Sequence, residues 1–297
     1  MPEEADKWSE WVLDRGHGGQ GEDERDDFAY LLPIRDRVLD NARLSAGEVL
    51  LDVGAGDGLI AFEAARRLAP SGRVIFSDHS AALVQHAGDL ARARELDAIM
   101  SFEQAAAEDL SAIQSGSIDV VTTRSVLIYV EDKARAFSEF HRVLRSGGRI
   151  SLFEPINRYF EERPDDFWGF NATAVHDLVQ KLWTCEGWIG EAAEQAEESD
   201  PMMNFGEGDL YRFAVDAGFP EVRVDLVLER ASGSWVRDWN TLLATAPNPN
   251  ARTVDELLEA ALSPDERQRF EAHMRPIVEH GSGIKESAFA YVTATKG

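Results

Sequence analysis

Basic residues are scarce in this chain, because 30 lysines and arginines stand against 54 aspartates and glutamates, a formal net charge of −24. A field of that sign repels the phosphates of nucleic acids and anionic membrane surfaces, so we expect neither as a partner. Cys185 is the one cysteine, which excludes an internal disulfide and a cysteine-based zinc site. No apolar run approaches the ~18 residues of a membrane span, and the first residues lack the basic and apolar regions of a signal peptide. These absences predict a cytoplasmic protein without a metal centre.

What the chain does contain is a regular order of elements. Apolar residues make up 44% of its 297 residues, enough for a large buried core. Between residues 45 and 154, short apolar strands alternate with helices whose apolar residues recur at helical spacing. This alternation predicts an α/β fold built on a doubly wound, mostly parallel sheet.

A glycine-rich turn follows the first predicted strand. Its glycines, at positions 54, 56 and 58, let the backbone approach a ligand without a Cβ in the way, and the next helix points its free N–H groups into the same space. A dinucleotide-binding turn would have glycine at 59, where this chain has Leu59. Asp52 lies at the strand end, and a carboxylate there repels a pyrophosphate but suits a ligand with an ammonium and a sulfonium. The turn therefore favours a sulfonium nucleoside over a dinucleotide.

The second predicted strand ends in another carboxylate. Asp78 closes the strand at 73–78 and lies 24 residues after Gly54. An acidic side chain at this place in an α/β sheet accepts hydrogen bonds from a ribose diol. We therefore predict that Asp78 binds the ribose and that His79, which follows it, flanks the cofactor.

The acidic residue followed by spaced glycines resembles motif I of the class I S-adenosylmethionine (SAM)-dependent methyltransferases. A second phrase of that family, a helix followed by Leu-Arg-x-Gly-Gly and a strand, is matched by residues 133–154. The resemblance covers residues 45–154 and, more loosely, 206–230 and 284–296, and its general pattern is that of the UbiE-like, small-molecule branch. It implies a seven-stranded sheet whose last strand is antiparallel and lies between strands 5 and 6. It also implies SAM as cofactor, S-adenosylhomocysteine (SAH) as product and a small-molecule methyl acceptor.

The resemblance also assigns positions around the cofactor. Ala106 stands where the family has an adenine-facing aspartate, so that the backbone of Ala107 and Glu108 is left to meet the ring, or Glu108 or Asp109 replaces the missing carboxylate. Residues 124 and 125 lie in the loop that the family places beside the methionine portion. The predicted cofactor-binding residues are Asp52, Gly54, Ala55, Gly56, Gly58, Asp78, His79, Ala106, Ala107, Glu108, Arg124 and Ser125.

Three stretches lie outside the resemblance. The first contains Trp8 and Trp11 and predicts a helical lid over the cofactor pocket, or alternatively a disordered tail with a helical anchor. The other two predict helical insertions, the first of which forms a cap. The predicted order is an N-terminal lid segment at 1–44, a SAM-binding core at 45–154, a cap at 155–205, the core continued at 206–230, a second insertion at 231–282 and the last core strand at 283–297.

We expect the acceptor pocket among these extra stretches. Aromatic residues crowd positions 153–190, which suits either an apolar acceptor or the core of a cap or homodimer interface. The first alternative agrees with a quinone or natural-product acceptor methylated at oxygen, nitrogen or carbon, whereas arsenite would need more cysteines. His17, His176 and Glu154 are the candidate general bases, because an acceptor that carries a proton needs a base in its pocket.

Two other functions stay open at this stage. An NAD(P)-dependent oxidoreductase uses a similar sheet, but Asp52 and the missing glycine at 59 argue against it. A non-catalytic SAM- or SAH-binding module would share every cofactor motif of the enzyme. Turnover of a labelled methyl group distinguishes the module from the enzyme.

Overall fold

A seven-stranded sheet lies at the centre of the structure, a computed structural model that describes residues 6–17, 28–159, 163–190, 195, 199–233 and 238–297. The strands are β1 (Val49–Val53), β2 (Arg73–Asp78), β3 (Met100–Gln104), β4 (Ile118–Arg124), β5 (Leu144–Pro155), β6 (Asp166–Phe167), β7 (Phe170–Asn171), β8 (Glu221–Ser232) and β9 (Ile284–Thr295). The order in the large sheet is β3-β2-β1-β4-β5-β9-β8, and β6 and β7 form a separate hairpin. Strands β1 to β5 are parallel, and β9 is antiparallel to both of its neighbours. The predicted fold, including the place of the last strand, is confirmed.

Helices cover both faces of this sheet. They are α1 (Lys7–Leu13), α2 (Phe28–Ala42), α3 (Leu59–Leu68), α4 (Ala81–Ala93), α5 (Lys133–Val143), α6 (His176–Glu186), α7 (Glu207–Asp216), α8 (Trp239–Ala244), α9 (Val254–Ala261) and α10 (Pro264–His280). Helices α2, α3 and α4 bury Val38, Phe62 and Ala87 on one face. Helices α5 and α7 bury Phe137 and Leu210 on the other. The sheet is therefore doubly wound, as the alternation of elements predicts.

The two insertions share one hydrophobic core. Phe167 of the first stacks on Trp183 with ring centroids 5.1 Å apart and meets Phe270 of the second edge-on, also at 5.1 Å. All three side chains are fully buried. We call residues 163–190 and 238–281 the helical subdomain. The exact boundaries of the lid and insertions stay a prediction.

Capping residues set the ends of α10 as the sequence predicts. Ser263 Oγ accepts a hydrogen bond from the N–H of Glu266, whose carboxylate accepts one from the N–H of Ser263 at 3.0 Å. Pro264 opens the helix, where its missing N–H costs nothing. Gly281 ends it in the left-handed conformation, with φ of 69°.

The long antiparallel pair extends further than the apolar pattern indicates. The apolar run of the last strand begins at Ala288, whereas β9 begins at Ile284, close to the predicted start at 283. Its first residues pair with Glu229–Ser232, which are exposed. Polar residues on an exposed ribbon have no apolar alternation, so the register of backbone hydrogen bonds alone decides where this strand begins.

Candidate cofactor site

The sheet changes winding direction between β1 and β4. The helix that follows β1 packs on one face of the sheet, and the helix that follows β4 packs on the other. Open α/β sheets bind ligands at the carboxyl ends of their strands at such a switch point. Asp52, Asp78 and Arg124 lie at the carboxyl ends of three adjacent strands. Chain topology thus brings the predicted cofactor residues to one crevice.

Two glycines of the turn are required by the protein's own packing. Gly54 has φ of +61°, and a Cβ added to it would lie 2.5 Å from a methyl carbon of Val126. Gly58 has φ of +79°, and a Cβ there would overlap the ring of Phe62. L side chains avoid this left-handed region at a cost of about 1–2 kcal/mol. These two positions therefore shape the turn itself rather than only the approach of a ligand.

Gly56 has a different environment. Its φ is +58°, and a Cβ there would meet only Val12 of α1, at an ordinary contact distance of 3.8 Å. Its N–H donates to Oδ2 of Asp78 at 3.0 Å. Gly56 therefore links the turn to the predicted ribose carboxylate and faces the N-terminal helix.

Asp52 lies beneath the turn and is 2% exposed. Its Oδ1 accepts a hydrogen bond from Thr122 Oγ1 at 2.7 Å. Burial raises the pKa of Asp52 to about 7, although the bond from Thr122, the charge of Arg124 and the backbone of Ala61 lower it. Asp52 therefore links β1 to β4 beneath the turn.

Arg124 and Asp57 form a charged pair across the crevice. Arg124 Nη2 lies 3.9 Å from Oδ1 of Asp57, and that oxygen accepts a hydrogen bond from the N–H of Leu59 at 3.1 Å. The Arg124 side chain is 25% exposed, so part of the guanidinium is left for an anionic ligand group. Sequence reasoning missed Asp57, although its position within the glycine turn was a signal for it.

Asp78 directs its two oxygens at different backbone donors. Oδ2 bonds to Gly56 N, and Oδ1 accepts from the N–H of Ser80 at 2.9 Å. Burial raises the pKa of Asp78, while these bonds and the neighbouring His79, whose Nδ1 lies 3.4 Å from Oδ1, lower it. Each carboxylate oxygen keeps a lone pair beyond its backbone bond, which is the acceptor pattern for a vicinal diol.

The predicted adenine turn lies beside the end of β2. The Ala106 carbonyl accepts a hydrogen bond from the N–H of Asp109 at 3.1 Å, and the Glu108 carbonyl accepts one from Arg135 Nε at 2.7 Å. Ala107 is 5% exposed and packs into the core below. Helix α5 therefore holds this turn through the backbone, and the turn needs no aspartate of its own for its shape.

Glu154 holds the loop after β4. Its Oε1 accepts hydrogen bonds from Thr123 Oγ1 at 3.0 Å and Val126 N at 3.2 Å, and its Oε2 accepts from Ile128 N at 3.2 Å. The side chain is fully buried, and burial raises the pKa of Glu154 to about 7. Ser125, within the loop, has φ of +57°, a conformation that these bonds help to maintain.

The two histidines predicted as general bases lie on elements outside the central sheet. His17 ends a short 3₁₀ turn after α1, and its side chain lies outside the described residues. His176 opens α6 and is exposed on the helical subdomain. Their roles as bases, like the ligand contacts of the crevice residues, stay predictions.

Tyr129 is a crevice residue that sequence reasoning missed. It follows Leu127 and Ile128 in a 3₁₀ turn, and its ring meets the indole of Trp8 edge-on at 5.0 Å. The apolar run around it resembles core sequence, which concealed its place beside the N-terminal helix. Its contact with Trp8 depends on a segment more than a hundred residues away in the sequence.

Within the described ranges, no group of three or more His, Cys, Asp or Glu side chains is arranged to hold a metal ion. In that same part of the chain, no helix combines the length and the apolar character needed to cross a membrane. Cys185 is exposed.

Comparison with known proteins identifies the family that part of the chain matches. Residues 51–152 match the family described as a methyltransferase domain. The chain is 32% identical to nocamycin O-methyltransferase of Saccharothrix syringae over 127 residues, 43% of this chain and 45% of that protein. It is 29% identical to the ubiquinone/menaquinone biosynthesis C-methyltransferase UbiE of Idiomarina loihiensis over 137 residues, 45% of this chain and 54% of that protein. The chain thus spans about half the length of these curated relatives.

Among solved structures, the chain resembles phosphoethanolamine N-methyltransferase 2 of Haemonchus contortus in complex with SAM. The TM-score is 0.52 at 16% identity, and the match covers 97% of this chain and 56% of that one. At that identity the similarity shows a shared fold and nothing about the substrate.

Proposed function

Because this chain belongs to the class I SAM-dependent methyltransferases, we propose that it transfers the methyl group of SAM to a small-molecule acceptor. The observation that carries the proposal is the arrangement of Asp78 and Gly56 at the switch point of the sheet. A buried carboxylate with two free lone pairs lies there beside a glycine turn. No packed side chain occupies the outer face of Gly56 except that of Val12.

The cofactor would lie along the carboxyl ends of the strands. Asp78 would accept hydrogen bonds from the ribose hydroxyls, and the turn containing Ala107 and Glu108 would border the adenine. The glycine turn and Arg124 would flank the methionine portion, whose carboxylate suits the exposed part of the guanidinium. Asp52, charged in part near neutral pH, supports the turn from below and favours a cationic ligand above it.

The chain's own contribution to methyl transfer is positioning. When bound, SAM would supply an electrophilic methyl carbon to a nucleophilic oxygen or carbon of the acceptor, with SAH as the leaving group. The residues of the crevice hold the two reactants collinear, and the covering aromatic rings exclude water. Glu154 contributes to positioning, because its bonds to the 123–128 loop hold Arg124 and Ser125 at the end of β4.

An apolar, ring-containing acceptor of the quinone or polyketide type is the class we propose. Phe153 pairs in register with Arg124 and lies 5.2 Å from both Phe289 and Tyr291, but all three rings are buried in the core, so the proposed class rests on the relatives rather than on an open aromatic pocket. The named reactions of two relatives, at oxygen for a natural product and at carbon for a quinone, support the same class. The attacking atom is oxygen or carbon in this proposal.

Calorimetric titration with SAH tests the cofactor half of the proposal. Asp78→Asn keeps the size of the side chain and should weaken SAH binding about ten- to a hundred-fold, because it removes a charged acceptor from the ribose. Asp89→Asn, on an exposed part of the neighbouring helix, is the matched control and should bind as the wild type does. Tight binding of NAD(P) without binding of SAH would overturn the proposal.

Transfer of labelled methyl groups tests the acceptor half. We expect incorporation from labelled SAM into a hydroxyquinone or phenolic polyketide panel, and none with Asp78→Asn. If SAH binds to the wild type and no small molecule in the panel or in a metabolite extract is labelled, the chain is a binding module instead.

A further inference from the structure

The N-terminal segment at residues 6–16, here called the strap, contacts the cofactor crevice through its first residue. Asp6 Oδ2 accepts a hydrogen bond from Ser80 Oγ at 2.6 Å, and its Oδ1 caps α1 by accepting from the N–H groups of Trp8 and Ser9, each at 2.9 Å. Burial alone would raise the pKa of Asp6, but these three bonds outweigh it and lower the pKa. Asp6 is therefore a charged anchor that starts the helix and holds it beside the ribose carboxylate.

One face of α1 then lies over the crevice. Trp8 meets His79 edge-on at 4.8 Å and Tyr129 at 5.0 Å, and Trp11 meets Tyr129 at 6.3 Å. Val12 lies above Gly56. Positions 8, 11 and 12 share one side of a helix, so this side of the strap forms a wall of the cofactor site.

The opposite end of the strap is bound to the helical subdomain. Trp11 Nε1 donates to the carbonyl of Ala246 at 2.9 Å, and the N–H of Ala246 donates to the carbonyl of Arg15 at 2.8 Å. The Arg15 guanidinium pairs with Glu256 of α9 at 2.5 Å. Near the first end of the strap, Lys7 Nζ also donates to Asn250 Oδ1, at 2.7 Å. Seven helical residues thus connect the cofactor crevice to the second insertion.

The closed strap also covers the groups that the cofactor needs. Asp78 is 4% exposed and Ser80 is 2% exposed. A ribose therefore reaches Asp78 only when the strap has moved away from Ser80. Once the cofactor is bound, the aromatic side chains of the strap can pack against it.

We infer that the strap opens to admit the cofactor and closes over it, and that the bonds of Trp11 and Arg15 to the second insertion contribute to cofactor affinity. This inference rests on the proposed function. In the part of the second insertion that the structure describes, bonds reach the strap at Lys7, Trp11 and Arg15, so its effect on the cofactor is indirect. Linkage is reciprocal, and closure on the cofactor must therefore stabilise the insertion in turn.

The test uses two mild substitutions at the distant anchor. Trp11→Phe removes the donor to Ala246 and also shortens a ring of the crevice wall, so Glu256→Gln on α9 is measured by itself as well. Glu256→Gln removes the charge that meets Arg15 and keeps the capping box that residue 256 forms with Thr253. Arg269→Gln, which breaks an exposed pair with Asp177 elsewhere in the subdomain, is the matched control.

We expect the Trp11→Phe/Glu256→Gln double variant to bind SAH about three- to ten-fold more weakly than the wild type in calorimetry. Hydrogen exchange of the α1 amides should slow when SAH binds to the wild type and slow less in the double variant. Arg269→Gln should match the wild type in both measurements.

The two proposals fail in different ways. Wild-type affinity and wild-type protection of α1 in the double variant would overturn the strap inference and leave the methyl-transfer proposal standing. Absence of SAH binding by the wild type would overturn both.

Discussion

At the scale of single residues, the glycines of the turn differ in what surrounds them. All three have positive φ, so each alanine variant carries the left-handed strain of about 1–2 kcal/mol. Gly54→Ala and Gly58→Ala add overlap with Val126 and Phe62, whereas Gly56→Ala meets Val12 at an ordinary distance. We expect Gly58→Ala to lower the free energy of unfolding by about 2–4 kcal/mol and Gly56→Ala by about 1. Urea unfolding measures the difference, and equal losses would contradict this assignment.

For SAH affinity we expect the opposite order, with the larger loss from a substitution at Gly56 than at Gly58. Gly56→Val keeps the fold and abolishes SAH binding, because a branched side chain there occupies the outer face of the turn. We therefore predict that Gly56 faces the ligand, whereas Gly54 and Gly58 are required by packing. A Gly56→Val variant that binds SAH like the wild type would contradict the proposed place of the cofactor.

Two buried carboxyls make stability depend on pH. The pKa of Asp52 and of Glu154 is raised to about 7 by burial, from 3.8 and 4.5. Between pH ~4 and ~7 the folded chain therefore binds more protons than the unfolded chain, so stability is greatest at low pH in this window and falls as pH rises. Each group contributes a slope of up to about 1.4 kcal/mol per pH unit.

Melting temperatures between pH 5 and 8 test this dependence. We expect Tm to fall with rising pH in the wild type and to fall less steeply in Asp52→Asn. Asp89→Asn removes an exposed negative charge and should keep the wild-type slope. A slope in Asp52→Asn as steep as that of the wild type would contradict the raised pKa.

At the scale of elements, one buried lysine joins α5 to the segment before α7. Lys133 is 3% exposed, and its Nζ donates to the carbonyls of Val130 and Pro201, both at 2.9 Å, and to Asn204 Oδ1 at 3.2 Å. Replacing it with methionine leaves three acceptors without a donor, of which the carbonyl of Val130 lies on a buried residue. We expect Lys133→Met to lower the free energy of unfolding by about 2–4 kcal/mol.

The exposed lysine of the subdomain provides the comparison for that measurement. Lys181, 51% exposed, pairs with Glu266, and Lys181→Met should change the free energy of unfolding by less than about 1 kcal/mol. Similar losses in the two variants would show that Lys133 does not hold its elements together.

At the scale of the whole molecule, the aromatic residues of positions 153–190 are mostly internal. Phe167, Phe170 and Trp183 are fully buried in the core that the two insertions share. Because these rings are buried, they do not form a homodimer interface. A homodimer through the insertions stays a prediction, and other residues would have to form its interface. That nucleic acids are not the substrate stays a prediction, which rests on the net charge of −24.

The sequence by itself determined the sheet and the cofactor motifs. Strand β2 occupies the predicted residues 73–78, with Asp78 at its tip, and α5 begins at Lys133, where the predicted phrase at 133–154 begins. These signals are local: apolar spacing, a capping box and a glycine turn each depend on residues a few positions apart. A short-range pattern can be recognised without knowing what packs against it.

Only the tertiary structure decided which distant residues hold the N-terminal helix and the loop after β4. The Trp11 bond to Ala246 joins residues 235 positions apart, and Glu154 reaches the loop at Val126 across 28. No local spacing encodes such partners, because the conformational entropy of bringing distant segments together is recovered only when the whole core packs. The sequence alone therefore predicted the cofactor and offered a helical lid, and folding determined that this segment is bound to the second insertion.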